Sequence, residues 1–332
     1  MDKYLVTGGC GFIGANLVKK ILLSGNKVLN VDKLTKASSR DSLKKFEKNK
    51  NYEFKKVDIC DHNKLSKIIY DFKPRYIMNL AAESHVDNSI LRPDEFIKTN
   101  IIGTYNLLKI LTKNNYFIKN NIKFLHVSTD EVYGSLNKKD LGFKEDDSYQ
   151  PNSPYSSSKA SSDFLVRAWH KTYGLFTITT HCCNNFGPWQ HPEKLIPKII
   201  QKCVSQKNIP IYGNGKNIRE WISVDDHTDI LLKLIKKSKS GDVYNIGSGF
   251  EINNLKLTKI IIKRIDKILK NKNSSNKLIK FVKDRKGHDF RYSIDSSKLN
   301  NLLGFIDTKN YNTKLFETID WYLNNKKFMN KK

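Results

Sequence analysis

The sequence predicts an α/β fold: a doubly wound parallel sheet carrying a smaller α/β lobe. Three observations carry this expectation. Short apolar runs alternate with amphipathic stretches through the first half of the 332 residues. A glycine-rich turn follows the first apolar run, at residues 8–14. After Cys182 the pattern changes, and proline and glycine punctuate longer loops. Alternating strand and helix signals build a parallel sheet covered on both faces. A chain of this length accommodates one large domain with an appended lobe.

Strands are expected at 4–7, 27–31, 52–57, 76–80, 124–128 and 177–182, all apolar runs bounded by polar or turn residues. Residues 13–23 carry Ile13, Leu17, Ile21 and Leu22 at helical spacing, and residues 94–111 do so with Phe96, Ile97, Ile101, Leu107, Leu108 and Leu111. A further helix, 225–237, has Asp225 at its start as N-cap and leads into a strand at 242–246. These two are expected to rejoin the main sheet. The division that results gives residues 1–183 and 222–248 to the sheet domain, 184–221 and 249–326 to the lobe, and 327–332 to a basic tail. The polar stretch 270–280 (KNKNSSNKLIK) reads as a loop.

Hydrophobic residues make up 39% of the chain, enough for a proper core. The net charge is +26, from 59 Lys+Arg against 33 Asp+Glu. Charge alone admits a nucleic-acid partner. The excess is Lys rather than Arg and is scattered among abundant Asn and Ile, so no nucleic-acid partner is expected. A positive field of this kind still attracts a small dianionic ligand. Five cysteines, an odd number without CxxC spacing, suggest neither a disulfide framework nor a metal site. No apolar run approaches the roughly 18–20 residues of a membrane span. Met1-Asp2-Lys3 runs directly into the first strand, so a soluble cytoplasmic protein is expected.

Thr7-Gly8-Gly9-Cys10-Gly11-Phe12-Ile13-Gly14 joins the first strand to the first helix. Gly8 permits the tight turn, Gly11 lets backbone N–H groups approach a pyrophosphate, and Gly14 lets helix and strand pack closely. Asp32 ends the second strand, where an acid hydrogen-bonds a ribose 2′-hydroxyl and repels a 2′-phosphate. The domain is therefore expected to be Rossmann-type and to hold NAD rather than NADP. Asp58 and Ile59 end the third strand and suit the adenine. Further along, Tyr155-Ser156-Ser157-Ser158-Lys159 places a phenol and an ammonium on one helix face. A nearby ammonium stabilises tyrosinate, which makes the phenol a usable base.

The early glycines and the Tyr155/Lys159 pair resemble the extended short-chain dehydrogenase/reductase superfamily. Within it, Ser128-Thr129-Asp130-Glu131-Val132-Tyr133-Gly134 resembles the signature of the dTDP-glucose 4,6-dehydratases. The resemblance implies that Thr129 is the third catalytic residue beside Tyr155 and Lys159, Asp130 a general acid and Glu131 a general base. Chemistry gives the pair a purpose. Oxidation at C4 acidifies the C5 hydrogen, one carboxylate removes it, and a protonated acid serves the departing C6 hydroxyl.

The resemblance extends over residues 1 to about 325 and implies the remaining contacts. Phe12, Ile13, Lys33, Leu34, Thr35, Thr99 and the run Leu80, Ala81, Ala82, Ser84 are implied to touch the dinucleotide, as is Asn185. Ser84, His85, Asp87, Asn184, Lys194, Leu195, Pro210, Tyr212, Arg219, Asn254, Arg285 and His288 are implied to touch the sugar nucleotide. Phe186 stands where the family usually has Tyr. The implied activity is NAD-dependent dehydration of dTDP-glucose to dTDP-4-keto-6-deoxyglucose, a step in the biosynthesis of deoxysugars such as rhamnose. A homodimer is implied, with the helix at 94–111 and the helix carrying Tyr155 as candidate contacts. UDP-glucose as substrate stays open, because one methyl group separates the bases. A nucleotide-sugar epimerase or decarboxylase on the same fold would need no paired acids after Thr129. A nucleic-acid binder keeping only the shell would rest on charge alone.

Overall fold

The computed structural model describes residues 1–113, 115–271, 273–304 and 310–329. Seven strands form the main sheet: β1 (Lys3–Thr7), β2 (Lys27–Asp32), β3 (Tyr52–Lys56), β4 (Tyr76–Asn79), β5 (Lys123–Thr129), β6 (Phe176–Cys182) and, beyond the lobe strands, β10 (Asp242–Ile246). Their order is β10-β6-β5-β4-β1-β2-β3, and every pairing is parallel. All carboxyl ends therefore open on one edge, where such sheets bind ligands.

Strand alternation sorts side chains to two faces. Tyr4 and Val6 pack with Leu17, Ile21, Ile230, Leu231 and Leu234. These come from α1 (Phe12–Leu23) and a helix over Val224–Lys237. Leu5 points the other way, into a core with Ile69, Leu107, Leu111, Phe124 and Val166. That core rests on α2 (His62–Phe72), α3 (Gly103–Thr112) and α4 (Pro154–Tyr173).

A third core belongs to the lobe. Ile196, Ile199 and Ile200 of α5 (Leu195–Val204) pack with Leu257, Ile261 and Ile265 and with Leu315 and Ile319. The last two sets lie on the helices Asn254–Leu269 and Tyr311–Asn324. Three short strands, β7 (Asn184–Phe186), β9 (Ile218–Ser223) and β11 (Glu251–Asn253), make one lobe sheet, and β8 (Ile209–Tyr212) pairs in parallel with β12 (Ile279–Val282).

The structure corrects several expectations. Residues 94–111 do lie in one continuous helical run, 93–112, but it is not all α-helix: a π-helical turn at Ile97–Ile102 interrupts it before α3. The extra residue of a π-turn re-aims side chains. Here Asn100 swings to bond the backbone N–H and C=O of Glu83, at 2.8 and 3.0 Å, which ties the turn to the loop after β4. The helix over Val224–Lys237 is capped not by Asp225 but by Ser223, whose hydroxyl accepts from the Asp226 N–H at 3.1 Å. The polar stretch 270–280 is not all loop, since β12 begins at Ile279; Lys272 lies outside the described residues. The expected lobe segment 249–326 is also divided, because Ile294 and Leu299 join the sheet core. Phe328 and Met329, placed by sequence in a basic tail, are buried in the lobe core. Residues 330–332 of that tail lie outside the described residues.

Replacing Ser223 with Ala should cost about 1 kcal/mol of stability, read as a lower urea midpoint, while Asp225→Ala should leave the midpoint nearly unchanged. The reverse order would contradict the capping assignment.

Candidate active site

One cavity of about 420 Å³ lies over the carboxyl edge of the sheet and beneath the lobe. Its cofactor half is built on the glycine turn. Gly8 has φ +69°, and a Cβ there would stand 2.7 Å from the Ala81 nitrogen. A Cβ on Gly14 would stand 2.2 Å from the Gly8 carbonyl oxygen, so both positions require glycine. Gly11 caps α1 without any side-chain bond, leaving the first-turn amides to a ligand. Asp32 is buried, and its carboxylate accepts from the Cys10 N–H at 2.9 Å, the Leu34 N–H at 2.7 Å and the Ser38 hydroxyl at 3.0 Å. Lys33 reaches across to Thr99 (2.9 Å) and Glu83 (3.2 Å).

Phe12, Ile13, Thr35, Asp58, Ile59, Leu80, Ala81, Ala82, Ser84 and Asn185 also line the cavity. Leu34 does not. Its backbone turns through φ +61° to hold Asp32, and its side chain is outside the lining.

The catalytic candidates meet where β5 ends. Thr129 starts a 3₁₀ turn, Asp130–Val132, by accepting from the Glu131 N–H at 3.3 Å, and its hydroxyl donates to Asp130 Oδ1 at 3.3 Å. Asp130 is only 3% exposed, and its Oδ2 has no partner among the described residues. Burial pushes its carboxyl well above the ordinary range, the charges of Glu131 and Glu220 add to this, and Arg219 opposes it. Glu131 is half-buried and faces the cavity. Burial raises it as well, but Arg219, Lys194 and Arg285 pull it back. The neighbours therefore separate into an acid that keeps its proton and a carboxylate that gives its proton up more easily.

Tyr155 and Lys159 stand one turn apart on α4, whose start is fixed by Pro154 and by a capping box between Ser153 and Ser156. Both line the cavity with Thr129. The expected influence of Lys159 on the phenol does not dominate. Burial and then the charge of Glu131 push Tyr155 well up, while a bond from Thr129 works the other way. Lys159 instead donates to the Val127 carbonyl at 2.9 Å and lies 3.3 Å from His126 Nε2.

On the substrate side, Asn184, Leu195, Pro210 and Asn254 line the cavity together with several cations. Lys194 donates to the Ser84 carbonyl at 2.7 Å and so joins the lobe to the loop after β4. Arg285 grips Asp87 with two bonds, at 2.6 and 3.1 Å, and Tyr212 donates to the same carboxylate at 3.1 Å. His85 Nδ1 accepts from the Asn88 N–H at 3.4 Å and caps the short helix Val86–Leu91. His288 bonds Asp284 at 2.6 Å. Arg219 lies 4.2 Å over the Tyr292 ring and donates to the carbonyls of Ile218 and Asp289, at 2.7 and 3.0 Å, which aims it before any diphosphate is present.

Sequence reasoning missed Trp221 and Tyr292, which also line the cavity and carry no motif of their own, and gave no role to Gln190, which lines it too. It missed His227 too, whose Nδ1 lies 2.8 Å from Asn185 Oδ1 inside a helix read only for its apolar face. Among the described residues no group of His, Cys, Asp or Glu could hold a metal ion.

A family model described as GDP-mannose 4,6 dehydratase matches residues 5–317. The chain belongs to this 4,6-dehydratase family. It is 46% identical to a dTDP-glucose 4,6-dehydratase of Escherichia coli, over 98% of this chain and 95% of the relative. The crystal structure of DesIV, a dTDP-glucose 4,6-dehydratase from Streptomyces venezuelae solved with NAD bound, superposes with a TM-score of 0.91 at 37% identity, covering 98% of each chain. A UDP-glucose 4-epimerase of Thermotoga maritima superposes at 0.85 with 27% identity, over 97% of this chain and 99% of its own. Fold alone therefore does not separate 4,6-dehydratases from epimerases.

The raised Asp130 sets a direction for stability. A carboxyl whose folded pKa is raised contributes stability that is present below its unfolded value and lost as pH rises through the folded one. Asp130→Asn, which mimics the neutral acid, should therefore melt at a higher temperature than the parent, by a margin that widens between pH 4 and 8. A margin that shrinks with pH, seen by calorimetry across that range, would contradict the assignment.

Proposed function

We propose that this chain dehydrates dTDP-glucose to dTDP-4-keto-6-deoxyglucose, using NAD held over the sheet edge. The observation that carries this reading is the Asp130–Glu131 pair at one strand end beside Tyr155, the first buried and the second half-buried against the cavity. An epimerase needs a base at the 4-hydroxyl but has no use for an acid and a base at C5 and C6. The cradle fits NAD on its own geometry. Gly11 has only the Gly8 oxygen near its missing Cβ, at 3.2 Å, so backbone can approach a pyrophosphate. Asp32, buried at the end of β2, suits a free ribose hydroxyl and repels a phosphate.

Bound NAD supplies a two-electron oxidation at C4 that is reversed at C6. The residues of this chain do the proton chemistry. Tyr155 takes the proton of the 4-hydroxyl, and Thr129 donates to the C4 oxygen as charge develops there. Glu131 removes the C5 proton. Asp130 gives its proton to the C6 oxygen, water leaves, and Glu131 returns a proton to C5 as the C5–C6 double bond is reduced. Arg219, Lys194 and Arg285 face the cavity as the cations that receive the diphosphate.

Two copies are the proposed working unit. Leu91, Ile97, Ile102 and Phe164 are exposed apolar side chains on the short helix Val86–Leu91, the π-turn and α4, and this is the face we propose for the contact. Five free cysteines, four of them buried, suit a reducing compartment, and we place the enzyme in the cytoplasm. Changing Ile102 and Phe164 to Asp should convert a dimer into a monomer by light scattering. An unchanged dimer would exclude this face.

Glu131→Gln should lower kcat by about 10²–10⁴-fold in the alkaline chromophore assay for the 4-keto product, with little deuterium entering C5 in heavy water. Normal turnover would exclude Glu131 as the base. With the parent enzyme, kcat/KM for dTDP-glucose should exceed that for UDP-glucose. A reversed preference would favour the uracil nucleotide as substrate.

A further inference from the structure

Tyr155, Lys159 and Asp163 follow each other at four-residue intervals along one stripe of α4. The first two line the cavity and Asp163 does not; it lies deeper, between the helix and strands β5 and β6, and is 4% exposed. Its Oδ2 accepts from the Ser128 hydroxyl at 2.8 Å and lies 3.2 Å from His181 Nε2. His126 on β5 stands between the carboxylate and the ammonium. Its Nε2 is 3.4 Å from Asp163 Oδ1 and 3.3 Å from Lys159 Nζ, while Asn79 bonds its Nδ1 at 3.0 Å.

A buried ammonium requires an anion nearby. Among the described residues no carboxylate pairs directly with Lys159: it donates to the Val127 carbonyl, and because the Asn79 amide donates to His126 Nδ1, the ring proton sits on Nε2 facing Asp163 and Lys159 only packs against that nitrogen at 3.3 Å. We infer that Asp163, acting through His126, is the counter-charge that positions the Lys159 ammonium and keeps it charged beside Tyr155. This rests on the reading above, in which Tyr155 is the base.

Charges around the group are consistent with this part for Asp163. Burial lowers Lys159, and Asp163 and then Cys182 on β6 oppose it. Burial lowers His126 to about 4, so the ring between the two charges is neutral. Asp163 is itself held well below the usual carboxylate range: burial works upward, but the bonds from His126 and His181 outweigh it. Tyr133 and Tyr149 close the far side, bonding the two nitrogens of His181 at 2.7 and 2.9 Å. Glu131 and Asp130 face Tyr155 from the turn after β5. The π-turn faces this group with Asn100, bonded to Ser158 and Ser162, and its one charged residue, Lys98, is exposed. Asp163 is a positioning residue, because it touches neither cavity nor ligand.

The test is Asp163→Asn, which removes the charge at nearly constant shape. Without the anion Lys159 loses its proton at lower pH, and above that pH Tyr155 lacks its neighbouring cation. The alkaline limb of the kcat profile with dTDP-glucose should move down by about one pH unit or more, with KM changed less than threefold. Lysine ¹³Cε NMR of the holoenzyme, with Lys159→Arg to assign the signal, should show the Lys159 midpoint falling in the same variant. A profile and a midpoint that both superpose on the parent would overturn the inference. If Asp163→Asn does not fold, His126→Gln is read by the same two measurements, with the same expected shift and the same overturning result. A parent protein with no turnover of dTDP-glucose would instead refute the functional reading, and the NMR midpoint would still decide the role of Asp163.

Discussion

Two carboxyl groups, adjacent in the chain, are withdrawn from water to different depths at the end of one strand, Asp130 fully and Glu131 in part. Burying carboxylates without compensation is costly, and much of the surrounding structure answers that cost unequally for the two. Asp130 receives one bond, from Thr129, and keeps an oxygen without a protein partner. Glu131 is surrounded by the cations Arg219, Lys194 and Arg285. The same β5 that ends in Thr129 carries His126 and Ser128 inward, so one strand serves both the reacting face and its support.

The two lobes contribute different chemistry. The parallel sheet supplies a preformed cradle in which glycines give up side chains for close backbone approach. The smaller lobe supplies positive charge on side chains already held by carbonyls, rings and acids: Arg219 by Asp289 and Tyr292, Arg285 by Asp87. Cations arranged in advance lose little freedom when a diphosphate arrives. Lys194 crosses from the lobe to the Ser84 carbonyl and so couples the halves around the cavity.

The sheet was legible in the sequence because its strands are short apolar runs separated by amphipathic helices, a pattern set by burial on both faces. The glycine turn, Asp32 and the Tyr155/Lys159 spacing were legible because their geometry is local. What was not legible depends on tertiary partners. The π-turn at Ile97–Ile102 carries Asn100 bonded to the Glu83 backbone, a contact the helical periodicity cannot announce. Ser223 rather than Asp225 caps its helix because the chain leaves β9 already extended at that residue. Leu34 contributes a backbone N–H instead of a side chain. Arg285 meets Asp87 across 198 residues of sequence. Asp163 was visible in principle, as the third member of a stripe that begins at Tyr155.

Dehydration at this site turns on the unequal protonation of neighbouring acids. Carboxyl ¹³C NMR of the holoenzyme, with Asp130→Asn and Glu131→Gln to assign the two signals, measures it directly. Asp130 should hold its proton to a higher pH than Glu131, with a range in which the first is an acid and the second a carboxylate. Two signals that titrate together in the ordinary carboxylate range would contradict it.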